Sequence, residues 1–376
     1  MRPILVVSNG HGEDIIGVAL GKALAALGYG VEAVPLVGRG LAYQEAGFAV
    51  WGPRREMPSG GFALQSPKAI WADLKAGWLS MSLDHYRAVR WVACRALATL
   101  VVGDVYALLV GGLLGNSPLF LVQCRSSLRA WGRPYSVTER LLMKRAVRVY
   151  PREPEGEAWL RARGVGQAVW LGNPMLDALG EGSLEPSPPY LLLLPGSRQD
   201  AYESLPKMLE AARLLGDLGL KPVVAWAGLP LEPLSLSGWR LEATGREEGI
   251  THRLCHPDGT TAYLTRGLLK SVLLGAKVAL STSGTAAEQA AGYGVPLVGF
   301  PTSGPQYTRA FAEGQKRMLG AALLLVEASP PAIAQGVRRF LLSPELQAQA
   351  RLDGRAAMGE PGAAQRIALD MHRFLM

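Results

Sequence analysis

Cysteine is scarce. Cys94, Cys124 and Cys255 are odd in number, far apart and without metal-ligand spacing around them. This argues against a disulfide framework or a zinc module and for free thiols in a reducing compartment. Histidine is nearly as rare, with five in 376 residues, and asparagine occurs only at 9, 116 and 173. Such usage suits a GC-rich genome and is compatible with a thermophile. Charged residues make up 19% against 49% hydrophobic, which excludes a disordered chain. Long unbroken apolar runs are missing too: Ala96–Val102 and Val105–Val122 are separated or interrupted by Gly103, Asp104, Gly111, Gly112, Gly115 and Asn116, so neither is expected to span a bilayer. The segment Met1–Val7 is too short, and too soon broken by Ser8-Asn9-Gly10, for a signal peptide. A cytoplasmic protein is expected.

The net charge of +8 is carried mostly by arginine and favours an anionic ligand, a phosphate-rich partner or an acidic membrane surface. No RNP-like aromatic pair or basic recognition helix is present, so no nucleic-acid partner is expected. The length predicts two α/β domains. The divisions expected are an N-terminal Rossmann-like domain over 1–171, a Gly/Pro-rich linker over 172–189, a second Rossmann-like domain over 190–345 and a helical tail over 346–376.

In the first half, Ile4–Val7 reads as a strand, Ser8–Asp14 as a turn, about Ile15–Leu27 as a helix and Val31–Val37 as the next strand. The turn is no Gly-x-Gly-x-x-Gly fingerprint, because Gly10-His11-Gly12 is followed by Glu13 and Asp14, and two carboxylates repel a pyrophosphate. His11 and Asp14 lie at the carboxyl end of the first strand, where open α/β sheets place ligands. There they serve as base and orienting carboxylate, or else Asp14 merely caps the helix and His11 fills the turn. Residues 51–66 read as a loop, Leu100–Val110 and Leu119–Gln123 as strands. Between Lys68 and Arg95, Trp71, Trp78 and Trp91 alternate with Lys75, Arg87 and Arg90. That mixture fits a helix pair contacting a membrane surface or an anionic amphiphile, and equally an amphipathic helix packed on the sheet.

The second half holds the more informative pattern. Lys277–Phe300 reads as strand, tight turn, short helix and strand, with Ser281-Thr-Ser-Gly284 placing hydroxyls and N–H groups at a helix N-terminus suited to phosphate. Glu288 follows one turn later, as the last member of a Thr285-Ala-Ala-Glu288 capping box or as a ligand group. Upstream, Leu191–Leu194 runs into Pro195-Gly-Ser-Arg198 before another helix. Two such turns in one half point to one ligand between them. Tyr263–Leu274 is expected to be helical, as is Thr308–Leu319.

Pro195-Gly-Ser-Arg198, Gly172-Asn-Pro174 and Ser283-Gly-Thr-Ala-Ala-Glu288 followed by Gly294-Val-Pro296 together resemble the lipid-A-disaccharide synthase family of GT-B glycosyltransferases. The resemblance is carried mainly by about residues 145–320. It implies two Rossmann-like parallel-sheet domains facing a central cleft, with C-terminal helices crossing back. It further implies an inverting hexosyltransferase that moves a sugar from a UDP-sugar to a lipid-linked or glycolipid acceptor at the cytoplasmic membrane face, with no cofactor or metal. Gly196, Ser197 and Arg198 would meet the diphosphate, Ser283, Gly284 and Thr285 would add donors, Glu288 would bind the ribose and Gln306 the sugar. His11 or Asp14 would be the base, while Trp71, Trp78, Trp91, Arg87 and Arg90 would contact acceptor or membrane. The His-bearing turn after the first strand departs from the family's Gly-Glu-x-Ser-Gly-Asp type and looks more like that of diacylglycerol and peptidoglycan glycosyltransferases. The alternatives are an epimerase or hydrolase of nucleotide sugars on the same fold, or a non-catalytic UDP-sugar or anionic-lipid binding protein.

Overall fold

The computed structural model describes residues 2–54, 71, 74–112, 118–124, 127–132, 135–180, 182, 184, 187–247 and 249–376. Most of the loop expected over 51–66, and all of Lys68, Asn116 and Ser117, lie outside the described residues. The chain forms two compact units, Met1–Ala178 with Pro361–Met376, and Leu179–Glu360.

In the first unit β1 (Ile4–Ser8), β2 (Val31–Pro35), β3 (Ala49–Val50), β4 (Ala98–Gly103), β5 (Leu119–Gln123) and β6 (Arg148–Tyr150) form one sheet among the described residues. Its order is β3-β2-β1-β4-β5-β6 and every pairing is parallel, with Val6 opposite both Ala33 and Leu100. Strands covered on both faces read as continuous apolar runs, as in Ile4-Leu-Val-Val. The helices are α1 (His11–Ala26), α2 (Leu41–Glu45), α3 (Trp78–Ala93), α4 (Val105–Gly112), α5 (Leu128–Trp131), α6 (Val137–Met143) and α7 (Pro154–Arg161). Leu5, Val7, Val101 and Leu121 pack against Val89, Val92, Ala107 and Leu108. Burying each such large side chain contributes about 1.5–3 kcal/mol. The fit is close: a Cβ at Gly111 would lie 2.5 Å from Val101 Cγ2. Successive strands run outward from β1 on one side and from β4 on the other, so the sheet's switch point lies between them.

Two sequence expectations change here. The strand expected over Leu100–Val110 ends at Gly103, because Asp104 Oδ1 accepts the N–H groups of Tyr106 and Ala107 at 3.0 and 3.3 Å and opens α4. The turn expected over Ser8–Asp14 is shorter than its residues imply. Helix α1 begins at His11, with Asp14 N donating to Gly10 O at 2.8 Å.

The second unit contains β7 (Tyr190–Leu194), α8 (Asp200–Arg213), β8 (Lys221–Ala225), β9 (Arg240–Ala243), β10 (Gly249–Cys255), β11 (Thr261–Arg266), α9 (Leu269–Gly275), β12 (Ala276–Ser281), α10 (Thr285–Gly292), β13 (Leu297–Gly299), α11 (Arg309–Leu319), β14 (Leu323–Leu325), α12 (Pro330–Leu342) and α13 (Pro344–Met358). The sheet order is β14-β13-β12-β7-β8-β11-β10-β9, parallel except for the antiparallel β11-β10-β9 edge. Tyr263–Arg266 is therefore strand rather than helix. The hairpin turn His256-Pro-Asp-Gly259, closed by His256 N to Thr260 O at 2.9 Å, turns the chain back so that Ala262 and Leu264 enter the core. Gly354 lets α13 approach α10, since a Cβ there would meet Ala291 O at 2.3 Å.

The last helix, α14 (Ala363–Leu375), belongs to the first unit. Asp177 caps its start by accepting the N–H groups of Gly362 and Ala364 at 2.5 and 2.7 Å. Asp370 holds its far end through Arg148 Nε at 3.1 Å and Tyr150 OH at 2.9 Å. Among the described residues, no helix is long and apolar enough to cross a membrane.

Candidate functional site

In the second unit β7 and β12 are parallel neighbours with Leu194 opposite Ser281, so the turns that follow them emerge side by side. Gly196 takes φ +98°, a conformation that side chains resist, and a Cβ on it would lie 3.4 Å from Thr282 O. Thr282 stitches the turns together. Its N–H donates to Leu194 O at 3.0 Å, and its hydroxyl donates to Pro195 O at 3.0 Å and lies 2.8 Å from Ser204 Oγ. Ser281 and Thr282 are buried and serve the fold, whereas Ser197, Arg198 and Thr285 are exposed.

Helix α10 starts at Gly284 with no side-chain cap. Thr285 is its first residue, so Glu288 is one position too far along to close a capping box, and that reading is set aside. Glu288 is half-buried in the first turn, beside N–H groups whose partial positive charge favours an anion. Arg198 Nη1 donates to Gln306 Oε1 at 2.5 Å, which brings together two of the residues named from the sequence, 108 positions apart.

Two residues that sequence reasoning missed hold this arrangement. Asp200, at the start of α8 and 5% exposed, accepts from Thr302 Oγ1 at 2.6 Å, Tyr307 N at 2.8 Å and Gln306 N at 3.3 Å. It fastens the loop that carries Gln306, and Gly304 leaves room for its other oxygen, which a Cβ would approach to 2.1 Å. Buried Gln315 donates to Ser283 O at 3.2 Å and Gly284 O at 3.0 Å while accepting from Tyr307 OH at 2.7 Å, thus bracing the turn before α10. An acidic residue in a helix's first turn was a signal for Asp200; nothing local marked Gln315. A separate pocket of about 280 Å³ lies between α11 and the segment after β14, lined by Pro301, Arg309, Ala312, Glu313 and residues 325–327. It includes none of the residues named for donor binding.

In the first unit the corresponding turn has the opposite chemistry. Asp14 is 3% exposed and caps nothing; Ser8 Oγ donates to its Oδ1 at 2.6 Å, and Tyr43 OH donates to Ser8 Oγ at 2.9 Å. Burial pushes the Asp14 carboxyl up to about 7, the Ser8 hydrogen bond opposes this, and Glu13 adds to it. Burial, with the neighbouring Asp14, likewise raises the Tyr43 phenol far above its ordinary range. His11 is exposed in the same turn and its ring fills the space over Gly38, where a Cβ would lie 2.4 Å from Cε1. Across the switch point, Asn9 Nδ2 donates to Asp104 Oδ1 at 2.8 Å.

No protein-family model matches the sequence, and no curated protein does. Solved structures match it over essentially its whole length. A candidate UDP-N-acetylglucosamine 2-epimerase from Listeria monocytogenes aligns with TM-score 0.64 at 18% identity, over 100% of this chain and 98% of its own. The calicheamicin glycosyltransferase aligns with TM-score 0.62 at 18% identity and the same coverage, and MurG of Acinetobacter baumannii with 0.55 at 14%, over 99% and 100%. The fold is GT-B. Glycosyltransferases and epimerases share it, and identities this low establish architecture alone.

On this GT-B scaffold the aromatic and basic stretch is divided in its roles. Trp71, Arg87 and Arg90 are exposed and Trp78 is half-buried. Trp91 is partly structural: it meets Trp51 edge-on at 4.7 Å, with the Arg95 guanidinium 4.1 Å from its ring centre and Arg95 paired to Glu32. Helix α3 buries Met81, His85, Val89 and Val92 and exposes Leu79, Leu83 and Tyr86, so it carries a second apolar stripe toward solvent.

Proposed function

We propose that the protein is an inverting glycosyltransferase that moves a sugar from a UDP-sugar to a lipid-linked or glycolipid acceptor, as lipid-A-disaccharide synthases do. The observation that supports it is the convergence, within one unit, of the Gly196–Arg198 turn, the Ser283–Thr285 helix start, Glu288 and the Arg198–Gln306 pair. A helix N-terminus and an arginine meet a diphosphate, a half-buried carboxylate accepts ribose hydroxyls and an amide reads the sugar. UDP is the leaving group, and Arg198 with the N–H groups of α10 stabilises the charge that builds on it.

On the acceptor side, Asp14 is the base. It removes the proton of an acceptor hydroxyl as that oxygen attacks the anomeric carbon and the carbon–phosphate-oxygen bond breaks. A carboxyl that titrates near neutrality is matched to this task. His11, exposed in the same turn, holds the acceptor. The stripe of Leu79, Leu83 and Tyr86 with Arg87 and Arg90 docks on the anionic inner face of the cytoplasmic membrane.

Thermal shift with UDP and UDP-sugars tests the donor site: UDP raises the melting temperature of the parent, and at UDP concentrations near the parent's Kd the rise is lost in Arg198→Ala and Glu288→Ala. No shift with any nucleotide sinks the reading. Turnover of UDP-N-acetylglucosamine in the absence of acceptor replaces it with an epimerase or hydrolase, and binding without turnover, unaffected by His11→Ala and Asp14→Ala, replaces it with a binding protein. Flotation with anionic vesicles, comparing the parent with Leu79→Ser/Leu83→Ser, tests the membrane contact.

A further inference from the structure

We propose that Ser8 and Tyr43 are positioning residues for Asp14, a buried hydroxyl relay that aims its carboxylate and sets the pH at which it accepts a proton. The inference rests on the proposed role of Asp14 as base. Ser8 is the last residue of β1, Asp14 lies in the first turn of α1 and Tyr43 comes from α2, so three separate elements contribute one polar group each. Exposure is 0% at Ser8, 3% at Asp14 and 0% at Tyr43.

The direction of the relay follows from the inventory of protons. Ser8 has one, given to Asp14 at 2.6 Å, so its oxygen accepts from Tyr43 at 2.9 Å. Each donor polarises the next, and the sum favours the charged carboxylate against the burial that opposes it. Room for the relay is made in α1: a Cβ at Gly17 would lie 1.9 Å from the Tyr43 hydroxyl oxygen, which occupies the place of the absent side chain. Glu13 acts on Asp14 from its own helix, and Cys124, just beyond β5, acts on Tyr43. His11 shares the first turn of α1. Three buried polar groups from three elements are an expensive way to fill a core that apolar residues would fill without desolvation cost. A tuned carboxylate gives them a use.

The test is a ¹³C titration of aspartate carboxyls in the full-length protein without substrate, with Asp14→Asn identifying the Asp14 signal. In the parent that signal titrates near neutrality. In Ser8→Ala the midpoint rises by about one pH unit, because a donor to the charged form is gone; in Tyr43→Phe, which keeps the ring, it rises by a few tenths in the same direction. The acid limb of kcat/KM for sugar transfer moves with it. An unmoved or lowered midpoint in Tyr43→Phe and Ser8→Ala overturns the relay, and should Ser8→Ala fail to fold, Tyr43→Phe alone decides. If the midpoints move as stated while no sugar nucleotide is turned over, the relay stands and the proposed function falls.

Discussion

The turn after β1 and the turn after β12 are built alike but sit among different charges. Each follows a buried parallel strand, bends through glycine and opens a helix whose first turn carries a carboxylate. After β12 the neighbouring turn supplies Arg198, and the carboxylate, Glu288, is half-buried. After β1 two carboxylates follow the glycines, and one, 3% exposed, is held by the Ser8 hydroxyl, which Tyr43 in turn bonds. The proposed diphosphate site therefore falls in the second unit and not in the first, although the strand-to-helix geometry is the same, because local charge bears on what a helix N-terminus accepts.

The sharpest test of this contrast is Asp14→Asn. With Asp14 as the proposed base, turnover is expected to fall by roughly 10²–10⁴-fold, while the UDP-induced thermal shift stays at the parent value, since the proposed donor turn is untouched. A joint loss of turnover and UDP binding would break the contrast.

The same substitution reports on stability. The folded Asp14 carboxyl titrates at about 7 against an ordinary value of 3.8, so the folded state binds the proton more tightly than the unfolded one. Stability from this group is full below pH 3.8 and is lost as pH rises through 7. The penalty above that is at most about 4 kcal/mol. Denaturation at pH 8 and pH 4 checks it: Asp14→Asn is more stable than the parent at pH 8, and the gain shrinks at pH 4.

On the proposed donor side, Arg198→Ala would remove a charge-assisted contact to the diphosphate worth about 1.5–3 kcal/mol, and calorimetry is expected to find UDP bound roughly 10–100-fold more weakly with the pH-stability profile unchanged. Smaller still is Glu288→Gln, which keeps the shape and one acceptor oxygen: about tenfold weaker binding of UDP, and no comparable loss for pyrophosphate, which has no ribose. Equal losses for both ligands would remove Glu288 from the ribose.

How much of this was legible follows from the range of the interactions. Ile4–Val7, Tyr190–Leu194 and Lys277–Leu280 were plain as strands, because a parallel strand covered on both faces reads as a near-continuous apolar run, which in the third spans Val278–Leu280. The run Val105–Val110 was misread for the same reason, since an apolar stretch of that length does not distinguish strand from helix, and only the Asp104 cap shows which it is. The β9–β11 edge escaped notice although its turn chemistry was present in Pro257-Asp-Gly259. Gly196, Arg198 and Glu288 stood out through motif spacing. Asp200, Gln315 and Tyr43 did not, because their partners lie many residues away and become neighbours only when strands pair.

The sequence alone determined the class of fold, the place of the glycine turns and the charged residues within each, because these depend on residues a few positions apart. Tertiary structure decided the rest. It joined Arg198 to Gln306 and Gln315 to the Ser283–Gly284 carbonyls, and it moved Glu288 out of a capping box. It also buried Asp14, and that burial, against the opposing hydrogen bond from Ser8, turns an ordinary first-turn carboxylate into one that holds its proton near neutrality. A pKa depends on every group that surrounds the carboxyl in space, and no local window of the chain contains them.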